Sequence, residues 1–144
     1  MRMRKKKNLH PRMDACGDCW IRDPERLRGH WRALYPQAKS LEVELGCGKG
    51  RFTAGTAKAQ PDTLLIAVEK VPDAMVVAME RVTAEGLKNV FFLDADAALL
   101  PMLFAAGEVD RLYINFCDPW PKSNQKKRRQ THGNFLKKYR QVLK

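Results

Sequence analysis

The chain has 144 residues, 44% of them hydrophobic, and carries a net charge of +11 at neutral pH, a size that suits one globular domain and leaves little room for a second core. No stretch approaches the roughly eighteen uninterrupted apolar residues of a membrane span, and the basic start Met1 to Lys7 has no apolar region after it, so neither a membrane segment nor export is expected. Four cysteines, Cys16, Cys19, Cys47 and Cys117, are too few and too scattered for a disulfide framework, which points to a reducing, cytoplasmic setting.

The charge is distributed unevenly. Residues 1–12 hold six cations (Arg2, Arg4, Lys5, Lys6, Lys7, Arg12) and no acid; residues 119–144 hold nine (Lys122, Lys126, Lys127, Arg128, Arg129, Lys137, Lys138, Arg140, Lys144), again with no acid. The stretch between them has twelve basic and all sixteen acidic side chains, a net of −4. Two basic ends around a mildly acidic middle suit a polyanion, whose counterions are released as phosphates are neutralised. A solubilising tail and a solvated helix face fit the same charges.

In chain order, residues 1 to about 20 mix charge with Pro11 and Gly17 and show no apolar period, so residues 1–22 are expected as a basic, mobile arm and 23–144 as the folded domain. Within the arm, Cys16-Gly17-Asp18-Cys19 is a single C-x-x-C without a matching second pair, which His10 and His30 complete as a zinc site only by favourable folding; no metal is expected. Asp23-Pro24-Glu25 predicts a helix start running into Arg26 to Leu34. Apolar runs of strand length then alternate with helical stretches: Leu41 to Leu45, Arg51 to Ala59, Thr63 to Val68, Asp73 to Glu85, Val90 to Leu93, Ala97 to Ala106 and Val109 to Phe116. The helix at 73–85 has Ala74, Val77, Ala78 and Val82 at three- and four-residue spacing, Pro72 before it and Gly86 after it. A last helix over about Lys126 to Leu143 is expected to bury Phe135, Leu136, Tyr139 and Leu143. Strands separated by helices imply parallel crossovers, hence an α/β, Rossmann-like, doubly wound and mostly parallel sheet. The strand Leu112 to Phe116 reads as buried on both faces although no strand follows it, so the sheet is expected to lack C-terminal strands or to be completed by another chain.

Glu44-Leu45-Gly46-Cys47-Gly48-Lys49-Gly50 closes the first strand and opens the first helix, where a dinucleotide-type fold puts its glycine turn. Glu69, nineteen residues past Gly50 at the tip of the second strand, is placed to accept both ribose hydroxyls of an adenosine. The pattern is G-x-G-x-G, with Arg51 where a pyrophosphate fold needs glycine spacing, which disfavours a nicotinamide-dependent oxidoreductase. S-adenosylmethionine, which has no phosphate and carries an ammonium that Glu44 can meet, fits better; Asp96 after the third strand would face its adenine. A plain strand-to-helix turn is the simpler reading of the glycines.

The second motif, Asn115-Phe116-Cys117-Asp118-Pro119-Trp120-Pro121-Lys122, stands at the mouth of the fourth strand, where open α/β sheets bind ligands, so Asp118 is expected to face the cofactor methyl. Pro119 and Pro121 hold Trp120 out of helical geometry. Trp120 offers a stacking face for a base, or else is a core residue; Lys122 and Lys126-Lys127-Arg128-Arg129 hold phosphates, or else form a solvated helix start.

Asp118-Pro119-Trp120-Pro121-Lys122 with Lys127-Arg128-Arg129 downstream closely resembles the signature of the bacterial tRNA (guanine-N7-)-methyltransferases, and Met1-Arg2-Met3-Arg4, the turn Glu44 to Gly50 and the Thr131, Phe135 and Leu136 positions are similar to that family too. The resemblance implies a class I methyltransferase that moves a methyl group from S-adenosylmethionine to N7 of a variable-loop guanine in tRNA. It implies cofactor contacts from Glu44, Gly46, Gly48, Gly50, Glu69, Asp96 and Asp118, with Asp118 also the catalytic position, and substrate contacts from Trp120, Lys122, Lys127, Arg128 and Arg129. Two features depart from the family: Gln125 stands where His is frequent, and a Thr-Asp pair and a T-x-Y-E segment found in further C-terminal strands do not occur. A non-catalytic RNA-binding or assembly module on the same fold is the alternative, and pairing of two chains is left open.

Overall fold

A computed structural model describes residues 8–115 and 137–144. Four parallel strands, β1 (Ser40–Leu45), β2 (Thr63–Glu69), β3 (Val90–Asp94) and β4 (Arg111–Ile114), form a sheet in the order β3-β2-β1-β4 among the described residues. The register sets Leu41 against Leu64, Leu45 against both Val68 and Ile114, and Val68 against Leu93. Helices α2 (Arg51–Ala59) and α3 (Pro72–Ala84) carry the chain from β1 to β2 and from β2 to β3, stepping one way across the sheet. The next connection, with the single turn α4 (Leu100–Leu103), steps back past both strands to β4, and crossovers of one hand therefore put it on the opposite face.

Strand alternation feeds two apolar layers. Leu65, Ala67, Val90 and Phe92 meet Ala54, Ala57, Met75, Ala78, Met79 and Val82 on the α2–α3 side. Leu41, Val43, Leu45, Leu64, Ile66 and Leu93 meet Trp31, Leu103, Phe104, Tyr139 and Val142 on the other. This is the doubly wound α/β architecture that the alternating pattern predicts. Pro72 is the first helical residue of α3, and Gly86 beyond its end has φ +66°. Residues 137–142 are helical and bury Tyr139 as expected; Phe135 and Leu136 lie outside the described residues.

Four local expectations are corrected. The helix predicted over Arg26 to Leu34 is two 3-10 turns, Pro24–Leu27 and Trp31–Leu34, parted by Gly29 at φ +83°; the Glu108 carboxylate takes the N–H groups of Gly29 (2.9 Å), Trp31 (3.3 Å) and Ala105 (2.8 Å). The helix predicted over Ala97 to Ala106 is a 3-10 turn (Ala97–Leu99) followed by α4, because Pro101 cannot donate within a longer helix. Strand β4 begins at Arg111 rather than Val109 and has no neighbour on its outer side among the described residues, with Arg111 and Ile114 exposed; Val109 instead binds residues 142–144, through Val109 N–H to Val142 O (2.8 Å) and Lys144 N–H to Val109 O (2.7 Å).

The fourth correction concerns the supposed arm. From residue 8 on it has structure: α1 (Leu9–Ala15) lies on α3, Met13 is buried, and the Arg12 guanidinium pairs with Glu80, its Nε donating to Oε2 at 2.8 Å. Trp20 then bridges to Phe92 in parallel and Ile21 N–H donates to Phe92 O (3.0 Å), so this segment covers the outer edge of β3. No helix among the described residues is long and apolar enough to cross a membrane.

Candidate active site

The strand order reverses between β1 and β4, and a crevice beyond the C-terminal ends of these strands is where such sheets bind ligands. The glycine turn stands there. Gly46, Gly48 and Gly50 have φ of +80°, +53° and +82°, a left-handed run that side chains with a Cβ resist. Gly46 N–H donates to Val68 O (2.8 Å) and Gly50 N–H to Cys47 O (2.9 Å), which fixes the loop between β2 and α2. Gly50 has a second constraint: a Cβ on it would stand 2.5 Å from Ala78 Cβ, so the third glycine admits the close crossing of α2 and α3.

Glu69 is half-buried at the tip of β2, and it braces the turn. Its Oε1 accepts Gly48 N–H at 2.8 Å and its Oε2 accepts Val71 N–H at 3.2 Å. Each carboxylate oxygen has capacity for a second donor, so the brace leaves Glu69 able to take two hydroxyls. Asp96 is exposed beyond β3, where its Oδ1 caps the following 3-10 turn through Ala98 N–H at 2.9 Å.

Glu44 points into the protein. It is fully buried; Oε1 accepts the Thr53 hydroxyl and Oε2 accepts Asn115 Nδ2 at 3.1 Å. Burial pushes its carboxyl above the usual range and the nearby Glu69 charge adds to this, while the two donors oppose the rise. Thr53 and Asn115 are partners that the motifs did not assign. The signal for Thr53 was a hydroxyl in the first turn of the helix that the glycines open.

Glu44, Gly46, Gly48, Gly50 and Glu69 are thus brought together at one end of the sheet, with Asp96 two strands from Glu44 on the same end. Asp118, Trp120, Lys122, Lys127, Arg128 and Arg129 lie outside the described residues, as does Cys117. Cys16 and Cys19 are buried under α3; Cys19 Sγ donates to Cys16 O (3.3 Å), and burial lifts its thiol to about 11. Among the described residues no three His, Cys, Asp or Glu gather as metal ligands.

Comparisons with known proteins agree with this geometry. Residues 38–144 match the family model described as putative methyltransferase. The tRNA (guanine-N(7)-)-methyltransferase of Geobacillus kaustophilus is 43% identical over 143 residues, 99% of this chain and 66% of that protein. The enzyme of the same name from Limosilactobacillus fermentum is 39% identical over 144 residues, 100% of this chain and 67% of that one. The chain belongs to the tRNA (guanine-N7-)-methyltransferase family. It spans about two thirds of the length of the curated relatives that it matches.

Solved structures place this family member among methyltransferase folds. The antibiotic-resistance methyltransferase Kmr superposes with a TM-score of 0.63 at 28% identity, over 81% of this chain and 60% of that one. The 16S rRNA (adenine(1408)-N(1))-methyltransferase from Catenulisporales acidiphilia, at 22% identity, shares the fold with a TM-score of 0.63 over 86% of this chain and 55% of its own. A variant of the latter enzyme was solved with cosubstrate SAM.

Proposed function

We propose that this family member binds S-adenosylmethionine over its glycine turn and serves methyl transfer to N7 of a guanine in a tRNA loop, in the cytoplasm where tRNA is found. The observation that carries the reading is the conjunction of Glu69, the left-handed glycines and the end of β4 at the reversal of strand order, in a chain 43% identical to an enzyme of that name.

The residues present fit this cofactor. Glu69 retains acceptor capacity for two ribose hydroxyls while it holds Gly48 and Val71. Asp96, exposed beyond β3, is available to the adenine amino group, and Glu44 supplies negative charge from below the turn toward an ammonium. The turn reads G-x-G-x-G, with Arg51 where the third glycine of a pyrophosphate-binding turn stands.

When bound, S-adenosylmethionine supplies a sulfonium methyl group that the exposed lone pair of guanine N7 can take up in line without a prior proton loss. The protein therefore needs no strong base. Its task is to hold N7 at the methyl carbon and to offset the positive charge that moves from sulfur to the purine. Asp118, three residues beyond Asn115, is the group we assign to that charge, by accepting hydrogen bonds from the N1 and N2 edge, which also selects guanine over adenine. Trp120 stacks on a base, and Lys122, Lys127, Arg128 and Arg129 hold backbone phosphates.

Methyl transfer to unmodified tRNA, with the modified base located afterwards, tests this reading. Asp118→Asn should lower turnover about 100-fold or more, the scale of losing one preorganised electrostatic partner. Near-normal turnover with unchanged cofactor affinity would remove Asp118 from the role, and a methyl group found on another base would reject the guanine assignment.

A further inference from the structure

Glu44 presents a physical problem. A fully buried carboxylate is costly unless it is paired, yet among the described residues no Lys or Arg pairs with it; its bonds are to neutral donors, the Thr53 hydroxyl and the Asn115 amide. An apolar residue at this position would serve the core better, so the carboxylate has a task beyond packing, and what it joins points to that task.

It joins three pieces of the crevice. Glu44 itself is on β1, two residues before Gly46. Thr53 is fully buried in the first turn of α2, the helix that the glycine turn opens. Asn115 lies one residue beyond β4, and because Ile114 pairs with Leu45, Asn115 comes level with Gly46. It is attached to β1 at two points, by its own N–H to Leu45 O (2.8 Å) and by its side chain to Glu44 (3.1 Å). The chain leaving this double attachment reaches Asp118 within three residues, a span of roughly 10 Å at most.

We infer that Thr53 and Asn115 are positioning residues: gripping the Glu44 carboxylate from two elements, they set the glycine turn and the exit of β4 at the separation that methyl transfer requires. This rests on the proposed reading of the site. Neither residue touches cofactor or base; each acts through Glu44. Main-chain pairing fixes the height of β4 beside β1, and the side-chain bond gives the end of β4 a second attachment to the same strand.

The test exchanges donor and acceptor. Asn115→Asp sets carboxylate against carboxylate, Glu44→Gln removes the charge, and the double variant E44Q/N115D restores one amide facing one carboxylate with the polarity reversed. In the full chain, the expected result is a turnover loss of about 10-fold or more for Asn115→Asp with cofactor Kd moving less than about 3-fold, and amide exchange over Gly46–Gly50 that is faster in Asn115→Asp and returns to within about 3-fold of the parent in the double variant, whose turnover is not the readout because Glu44 also faces the cofactor. Thr53→Val should give a smaller turnover loss of the same kind. Exchange in the double variant no slower than in Asn115→Asp, or Kd and turnover falling together with melting temperature in Asn115→Asp, overturns the inference. Should the parent chain transfer no methyl group at all, the proposed function fails by itself. Amide exchange over Gly46–Gly50 then decides the clamp: faster in Asn115→Asp and slowed again in the double variant supports it, and equal rates in all variants overturn it.

Discussion

A methyl group on Gly50 would collide with helix α3, since its position lies 2.5 Å from Ala78 Cβ and 2.6 Å from Ala78 Cα, and the backbone there has φ +82°. Left-handed geometry costs a residue with a Cβ roughly 1–2 kcal/mol, and overpacking a tight contact adds about 1–3 kcal/mol. Gly50→Ala is therefore expected to destabilise the fold by about 3 kcal/mol in denaturant unfolding and to weaken cofactor binding as α2 and α3 part; parental stability would contradict the packing role. At this scale the sequence was legible in kind but not in cause. Three glycines after an apolar run announce a turn, yet the contact that demands the third one comes from a residue 28 positions later. Glu69 was read as a ribose ligand from its place at a strand tip, while its hold on Gly48 N–H depends on how β2 lies beside the loop. Glu44 was legible as an acid before the turn, while its bonds to Thr53 and Asn115 were not, because they depend on β-strand alternation sending it to the α2 side with Glu42. Cys19 of the C-x-x-C pair is buried with its thiol raised to about 11, which keeps it protonated at neutral pH.

Among elements, strands and the capped helix α3 were legible because period and punctuation agree: Pro72 and Gly86 bracket α3, and four apolar runs became four strands. The segment before residue 22 was misread because its charges dominate. Its apolar residues do keep a helical stripe, Leu9, Met13, Cys16 and Cys19, at steps of four, three and three, and that stripe packs on α3 beside Thr83 and Val82. Pro101 and Gly29 each broke a helix that propensity alone would have extended. Met13→Ala tests whether this segment belongs to the core. Removing a side chain only 1% exposed should cost about 2–5 kcal/mol, seen as a lower midpoint of cooperative unfolding. A change within about 0.5 kcal/mol would mean that α1 contributes nothing to the fold.

Over the whole chain, six cations fall in residues 1–12 and nine in residues 119–144, with no acid in either. In the proposed function these ends give a salt-dependent grip on the tRNA polyanion. Lys127→Ala with Arg128→Ala should weaken tRNA binding and flatten its dependence on salt by a slope of about 1–2 while leaving the cofactor untouched. Equal loss of both ligands would make those residues structural. The parallel, doubly wound sheet followed from the alternation of strands and helices, and the edge at β4 from the absence of a later strand to pair with it; the strand order, with its reversal between β1 and β4, was not legible, since apolar runs do not report which neighbour each takes. All of this depends on one binding event, and calorimetric titration of the chain with S-adenosylmethionine, with NAD as the control, measures it directly. The account predicts saturable one-site binding of S-adenosylmethionine that Glu69→Ala abolishes, and no binding of NAD. Equal affinity for the two, no binding of S-adenosylmethionine, or an unchanged Kd in Glu69→Ala would contradict it.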